Sequence, residues 1–189
     1  MNRMCGRYCL YDDGNEELRA ILDETEGEFK TGEIFPTDRA PILIQQNERI
    51  KPQAVAWGFP GFKGKGVIIN ARAETVPEKP MFRRSLASMR CIIPSSGFFE
   101  WTHSGPKIKY QFNLPDSSIL FMAGLYQNFG GERRFVIITT AANDSMIEVH
   151  NRMPVVLQGA ERGAWLGSEG SAAEILDAKR PELVRQAEK

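Results

Sequence analysis

Cys5 directly follows Met4 in Met4-Cys5-Gly6-Arg7-Tyr8, so removal of Met4 makes this cysteine an N-terminal residue. Such a residue carries two nucleophiles: a thiol, and an α-amine whose reference pKa of about 7.7–8.0 leaves much of it unprotonated near neutrality. Together they trap an aldehyde. The amine adds to the carbonyl and loses water to give a Schiff base, and the thiol then attacks the imine carbon and closes a five-membered thiazolidine. The competing reading of Cys5 is an ordinary small apolar side chain, because cysteine is among the residue types most often buried.

Three other segments look like functional corners: Ile69-Asn70-Ala71-Arg72-Ala73-Glu74, Gly97-Phe98-Phe99-Glu100-Trp101 and Val149-His150-Asn151-Arg152-Met153-Pro154. Glu100, between Phe99 and Trp101, is either an exposed turn carboxylate or a desolvated one whose pKa rises toward the range useful for general acid–base work. His150 is either a capping and packing residue or, facing a cleft, a proton donor with an ordinary pKa near 6.5. Asn70 follows an apolar run, where the simplest role is to satisfy backbone groups in a turn.

The elements that must position these groups are short apolar runs separated by glycine and proline, a pattern of many strands. Expected strands are 40–45, 53–57, 66–70, 90–94, 108–114, 119–126, 134–140 and 154–157. Helical periodicity covers 15–24, 81–89, 143–149, 160–166 and 172–178. The class is α+β. With 189 residues, 42% hydrophobic, and no repeat or linker, a single domain is expected over 5–178, with residues 1–4 a removable leader or non-native start and 179–189 a charged tail.

Lysine plus arginine and aspartate plus glutamate number 24 each, so there is no global attraction to polyanions and any nucleic acid must meet a local patch. Three cysteines and two histidines without zinc-ligand spacing argue against a structural metal and for a reducing compartment. No run approaches the roughly 20 apolar residues of a membrane span, and the start lacks the apolar core of a secretory signal, so a cytoplasmic location is expected.

Taken together, Cys-Gly-Arg, Asn-Ala-Arg-Ala-Glu, Gly-Phe-Phe-Glu-Trp and His-x-Arg-Met-Pro occur in the order and spacing of one family, and the chain resembles the SOS response-associated peptidase (SRAP) family of abasic-site processing proteins. Supporting pieces are Phe35-Pro36-Thr37 with Ala40-Pro41, Ala56-Trp57-Gly58, Pro80-Met81-Phe82-Arg83, Arg90-Cys91-Ile92-Ile93-Pro94, Ala123-Gly124-Leu125-Tyr126 and Ile138-Thr139-Thr140-Ala141-Ala142-Asn143. The resemblance runs over residues 4–166 and implies a β-rich α+β domain with a barrel-like, mainly antiparallel sheet and flanking helices.

It also implies a sensor of abasic sites in single-stranded DNA that forms a thiazolidine crosslink through Cys5 and needs no cofactor or metal. By motif position Asn70 orients the cysteine amine and the sugar, Glu100 shuttles protons, and His150 protonates the ring oxygen to open the sugar. β-Elimination at the Schiff base makes lyase activity a side branch. DNA contacts fall to Arg7, Arg72, Arg83, Arg84 and Arg152 through phosphates and to Trp57 and Trp101 through stacking. Arg7 and Arg152 lead, and fold-bracing ion pairs, with Glu74 for instance, are the competing role. A monomer is expected, with the replication machinery a further candidate partner.

Two departures stand out. Four residues precede Cys5, so either Met4 is the biological start or self-cleavage exposes the amine, the latter justifying the peptidase name. Trp57-Gly58-Phe59-Pro60-Gly61 replaces a longer Trp-Gly-Leu-x-Pro-x-Trp stretch in the DNA-facing loop. Two other classes compete: a cysteine peptidase acting on other proteins through the same Cys5, Glu100 and His150, and a non-enzymatic single-strand binding module indifferent to Cys5.

Overall fold

Glycine and proline cut the apolar runs into strands too short to stand alone, and the chain solves this by closing five of them on themselves. The computed structural model describes residues 6–47, 49–103, 105–167 and 170–188, so Cys5 lies outside the described residues. The chain opens with β1 (Tyr8–Leu10), α1 (Glu16–Glu24), β2 (Gly32–Ile34), β3 (Arg39–Gln46) and β4 (Arg49–Trp57). A small hairpin of β5 (Phe59–Pro60) and β6 (Val67–Ile68) leads into β7 (Asn70–Arg72) and α2 (Pro80–Ser88). Then follow β8 (Arg90–Ser95), β9 (Gly97–Trp101), β10 (Lys109–Asn113), β11 (Leu120–Phe129), β12 (Glu132–Ala141) and β13 (Arg152–Pro154). Helices α3 (Glu161–Leu166) and α4 (Gly170–Asp177) precede the last strand, β14 (Val184–Ala187).

Strands β11, β8, β3, β4 and β12 pair in that order, and β11 returns to β12 to close a five-stranded barrel. Closure removes the free edges that an open sheet would expose. All six residues of β8 are buried, as a strand covered on both faces requires. A second, antiparallel sheet runs β14-β10-β9-β1-β2. The chain passes from barrel to sheet at Gly97, whose φ is +146° and where a Cβ would lie 2.7 Å from Gln111 Nε2. One apolar core fills the space between them, with Trp57, Phe98, Phe112, Phe135 and Trp165 fully buried.

Four expected helices form, at α1 to α4, and the strand expectations around β3, β4, β8, β10, β11 and β12 hold. Residues 143–149 do not form a helix. Asn143 Oδ1 accepts from both the amide and hydroxyl of Ser145, and Ile147→Asn143 and His150→Met146 bonds close separate turns rather than a ladder. The run 66–70 breaks at Ile69 into β6 and β7, and the strand expected at 154–157 sits earlier, at 152–154. Within the charged C-terminal segment, Val184–Ala187 pairs with β10, and Glu188 accepts a 2.6 Å bond from Lys109 Nζ.

Candidate functional site

Strand β12 gathers the motif corners because it is long enough to serve two partners on each edge. Along one edge β4 pairs with Arg134 and Phe135, the chain leaves at Gly58, and β7 returns to pair Asn70 with Ile137 and Arg72 with Thr139. Gly58 permits the exit: its φ is +113°, its N–H donates to Phe135 O at 2.8 Å, and a Cβ would lie 2.9 Å from Val67 Cβ. On the other edge β13 pairs Arg152 with Ala141 and Pro154 with Thr139. Asn70, paired with Ile137, and His150, two residues before Arg152, therefore flank the C-terminal half of β12.

Glu100 arrives from the second sheet. The registers place Tyr8, Phe98, Glu100, Tyr110 and Phe112 on one face and Arg7, Phe99, Trp101 and Lys109 on the other. Glu100 is 4% exposed, which rejects the exposed-turn reading. Three residues further on, the His103 ring packs on His150 with centroids 4.4 Å apart and planes at 60°. That contact ties the end of β9 to the turn before β13.

His150 is 5% exposed, and its Nδ1 accepts the Arg152 backbone N–H at 2.9 Å, so the neutral ring carries its proton on Nε2. Burial first, then the charges of His103 and Arg152, push its pKa down to about 4. The expectation of an imidazole titrating near neutrality is corrected: at pH 7 His150 offers an Nε2–H hydrogen bond rather than an imidazolium proton.

The expected DNA-contacting residues divide. Trp57 is fully buried, between Tyr8 at 5.2 Å and Phe135 at 6.2 Å, with its indole N–H on Ile69 O, so it is core and cannot stack on a base. Arg152 binds Glu74 in bidentate fashion, the bracing role. Arg7 pairs with Glu33 at 3.0 Å and lies over Phe35 and the half-buried Trp101, on the face of its sheet opposite Glu100. Arg72, Arg83 and Arg84 are exposed, with no carboxylate within ion-pair distance among the described residues.

Two features of the site lie outside the four motifs. His103 carries no motif signal. Phe62, at the tip of the β5–β6 hairpin, is 81% exposed and followed by Lys63 and Lys65, a combination that a search for an aromatic next to closely spaced lysines would find. Through Phe59, which meets Phe82 of α2 at 6.1 Å, the base of this hairpin stands beside the helix bearing Arg83 and Arg84.

Two thiols are buried and held protonated. Burial pushes Cys9 up to about 12, helped by the charges of Glu188 and Glu33, and burial drives Cys91 well above its ordinary value. Among the described residues no group of three His, Cys, Asp or Glu side chains could hold a metal ion, and no helix is long and apolar enough to cross a membrane.

The SOS response associated peptidase (SRAP) family model matches residues 4–187. YoaM of Bacillus subtilis, an abasic site processing protein, is 33% identical over 189 residues, covering 92% of this chain and 83% of its own. YedK of Escherichia coli, also an abasic site processing protein, is 28% identical, covering 90% and 83%. A solved structure of a Bacteroides thetaiotaomicron protein superposes with a TM-score of 0.79 at 26% identity, covering 98% of this chain and 92% of that one. One from Bordetella bronchiseptica, 24% identical with a TM-score of 0.80, shares the fold. A barrel joined to an antiparallel sheet, with the family model matching nearly the whole chain, defines the class: this chain belongs to the SRAP family.

Proposed function

We propose that this protein processes abasic sites in DNA, capturing them in single strands as a thiazolidine on Cys5. The observation that carries the reading is the burial of Glu100 and His150 in the two motifs joined by the His103–His150 contact, within a family whose relatives are abasic site processing proteins. The burial of Cys9 and Cys91, with their thiols held protonated, supports Cys5 as the thiol for the chemistry.

In the reaction the Cys5 amine adds to the open-chain aldehyde, water leaves, and the thiol adds to the imine carbon as the imine nitrogen takes up the thiol proton. Glu100 moves protons during addition and dehydration, and Asn70 orients amine and sugar. His150, neutral, donates its Nε2–H to the sugar ring oxygen and stabilises the developing charge as the ring opens. Arg72, Arg83 and Arg84 neutralise phosphates while Phe62 stacks on a base, with Lys63 and Lys65 beside it. These contacts read no base edges, so little sequence preference follows. Removal of residues 1–4, lyase cleavage and peptidase activity belong to the same reading as maturation and side branches.

The test is a denaturing intact mass of protein incubated with a single-stranded oligonucleotide carrying one abasic site. The expected adduct is protein from Cys5 onward plus oligonucleotide minus one water. No adduct from protein already beginning at Cys5 overturns the reading. Acetylating the amine while sparing the thiol must abolish capture, whereas a peptidase using only the thiol would be unaffected.

A further inference from the structure

We propose that His103 is a positioning residue for His150: its ring closes the outer side of the buried imidazole and fixes Nε2 as the nitrogen offered to the sugar. The inference rests on the role given to His150 above and extends it to a residue outside the four motifs.

The observations are geometric. His103 is exposed while His150 is 5% exposed, and an exposed ring packed at 4.4 Å on a buried one lies between it and water. The turn that carries His103 is held at its base. Thr102 donates its amide to Ile108 O and its hydroxyl to Pro106 O, and that hydroxyl oxygen accepts the Ile108 N–H. On the inner side the Arg152 N–H occupies Nδ1. A ring clamped by a hydrogen bond on one nitrogen and by an aromatic face from outside cannot exchange its two nitrogens without disturbing one of these contacts. Among the described residues the charged groups acting on His150 are His103 from the β9–β10 turn and Arg152 from β13, and the Arg152 charge is itself held by Glu74. Removing the His103 ring therefore admits water to His150 and takes away a neighbouring charge, and both changes favour the imidazolium.

The chain has two histidines, so long-range proton–nitrogen spectra of histidine-labelled protein beginning at Cys5 contain two rings, and the His103→Ala spectrum identifies His150. In the wild type, His150 should show the Nε2–H tautomer and resist protonation down to about pH 4. In His103→Ala its midpoint should move upward by about one pH unit or more, and single-turnover capture of an abasic oligonucleotide at pH 7 should slow at least about tenfold. His103→Phe, which keeps a ring in place, should retain the tautomer and most of the rate. An unchanged His150 titration in His103→Ala, or a capture rate unchanged across pH 5–8, overturns the proposal. Should His103→Ala fail to fold, His103→Gln carries the same comparison. A wild type that captures nothing refutes the abasic-site reading alone, because the spectra decide the positioning role without DNA.

Discussion

Arg152 grips both carboxylate oxygens of Glu74, Nη1 on Oε1 at 2.7 Å and Nη2 on Oε2 at 2.8 Å, while Nη2 also donates to Thr139 O at 2.7 Å. The pair fastens the chain after β7 to β12 and β13 around the turn that holds His150. The guanidinium hydrogen bond keeps the Glu74 carboxyl below its ordinary range. Arg152→Ala and Glu74→Ala should each lower stability by about 1–2 kcal/mol, and the double variant by clearly less than the sum. Thermal unfolding of the four proteins checks this, and strictly additive losses would mean that the pair does not hold the corner.

The surface arginines and the exposed phenylalanine should behave in the opposite way. Arg72→Ala, Arg83→Ala and Arg84→Ala should leave the melting temperature in place and each reduce the salt dependence of single-strand binding by about 0.7 in the log–log slope. Phe62→Ala should weaken binding by about 1–3 kcal/mol without loss of stability. Trp57→Ala, in contrast, should cost about 3–5 kcal/mol of stability, because it empties the core between Tyr8 and Phe135. Fluorescence anisotropy across a salt series, paired with unfolding curves, separates the groups. A Phe62→Ala variant that melts early but binds normally would remove the hairpin tip from the interface.

How far the sequence carries is visible in these same residues. Long strands such as β3, β11 and β12 announce themselves by eight to ten residues of apolar pattern. Three-residue β1 and β2 are set by pairing with distant partners, and no local window contains that information. The corners holding Asn70, Glu100 and His150 were legible as motifs, yet the burial of Glu100 and the low pKa of His150 arise from residues far along the chain. Trp57 illustrates the limit: an indole beside Gly58 reads equally well as a stacking platform or as core, and only the barrel decides. His103 was illegible because its partner lies 47 positions away.

Thiol chemistry gives an independent check. Cys9 is fully buried and donates to Gly97 O at 3.2 Å, and Cys91 is buried against the barrel, so neither is expected to react with iodoacetamide in the folded protein at pH 7.5. One alkylation per chain, located at Cys5 by peptide mass, is the expected outcome, with two more appearing in denaturant. Alkylation at Cys5 should abolish abasic-site capture in proportion. Modification of Cys9 or Cys91 in the native state would show that these sites open far more readily than their burial implies.

The His150 environment also makes stability depend on pH with a definite sign. Its native pKa, about 4, lies below the ordinary 6.5, so between these values the unfolded chain binds a proton that the native chain refuses. Stability therefore rises with pH in this window: the contribution is fully present above about 6.5 and lost as pH falls toward 4. The difference amounts to on the order of 3 kcal/mol, or roughly 10 °C in melting temperature for a chain of this size. His150→Gln cannot titrate, while the remaining groups are common to both proteins and largely cancel in the comparison. The wild type should thus lose its melting temperature faster than His150→Gln on going from pH 6.5 to pH 4, and the two curves should run parallel above pH 7. Parallel curves throughout would mean that His150 accepts a proton in the folded protein about as easily as in water, which would restore the imidazolium as the acid that opens the sugar.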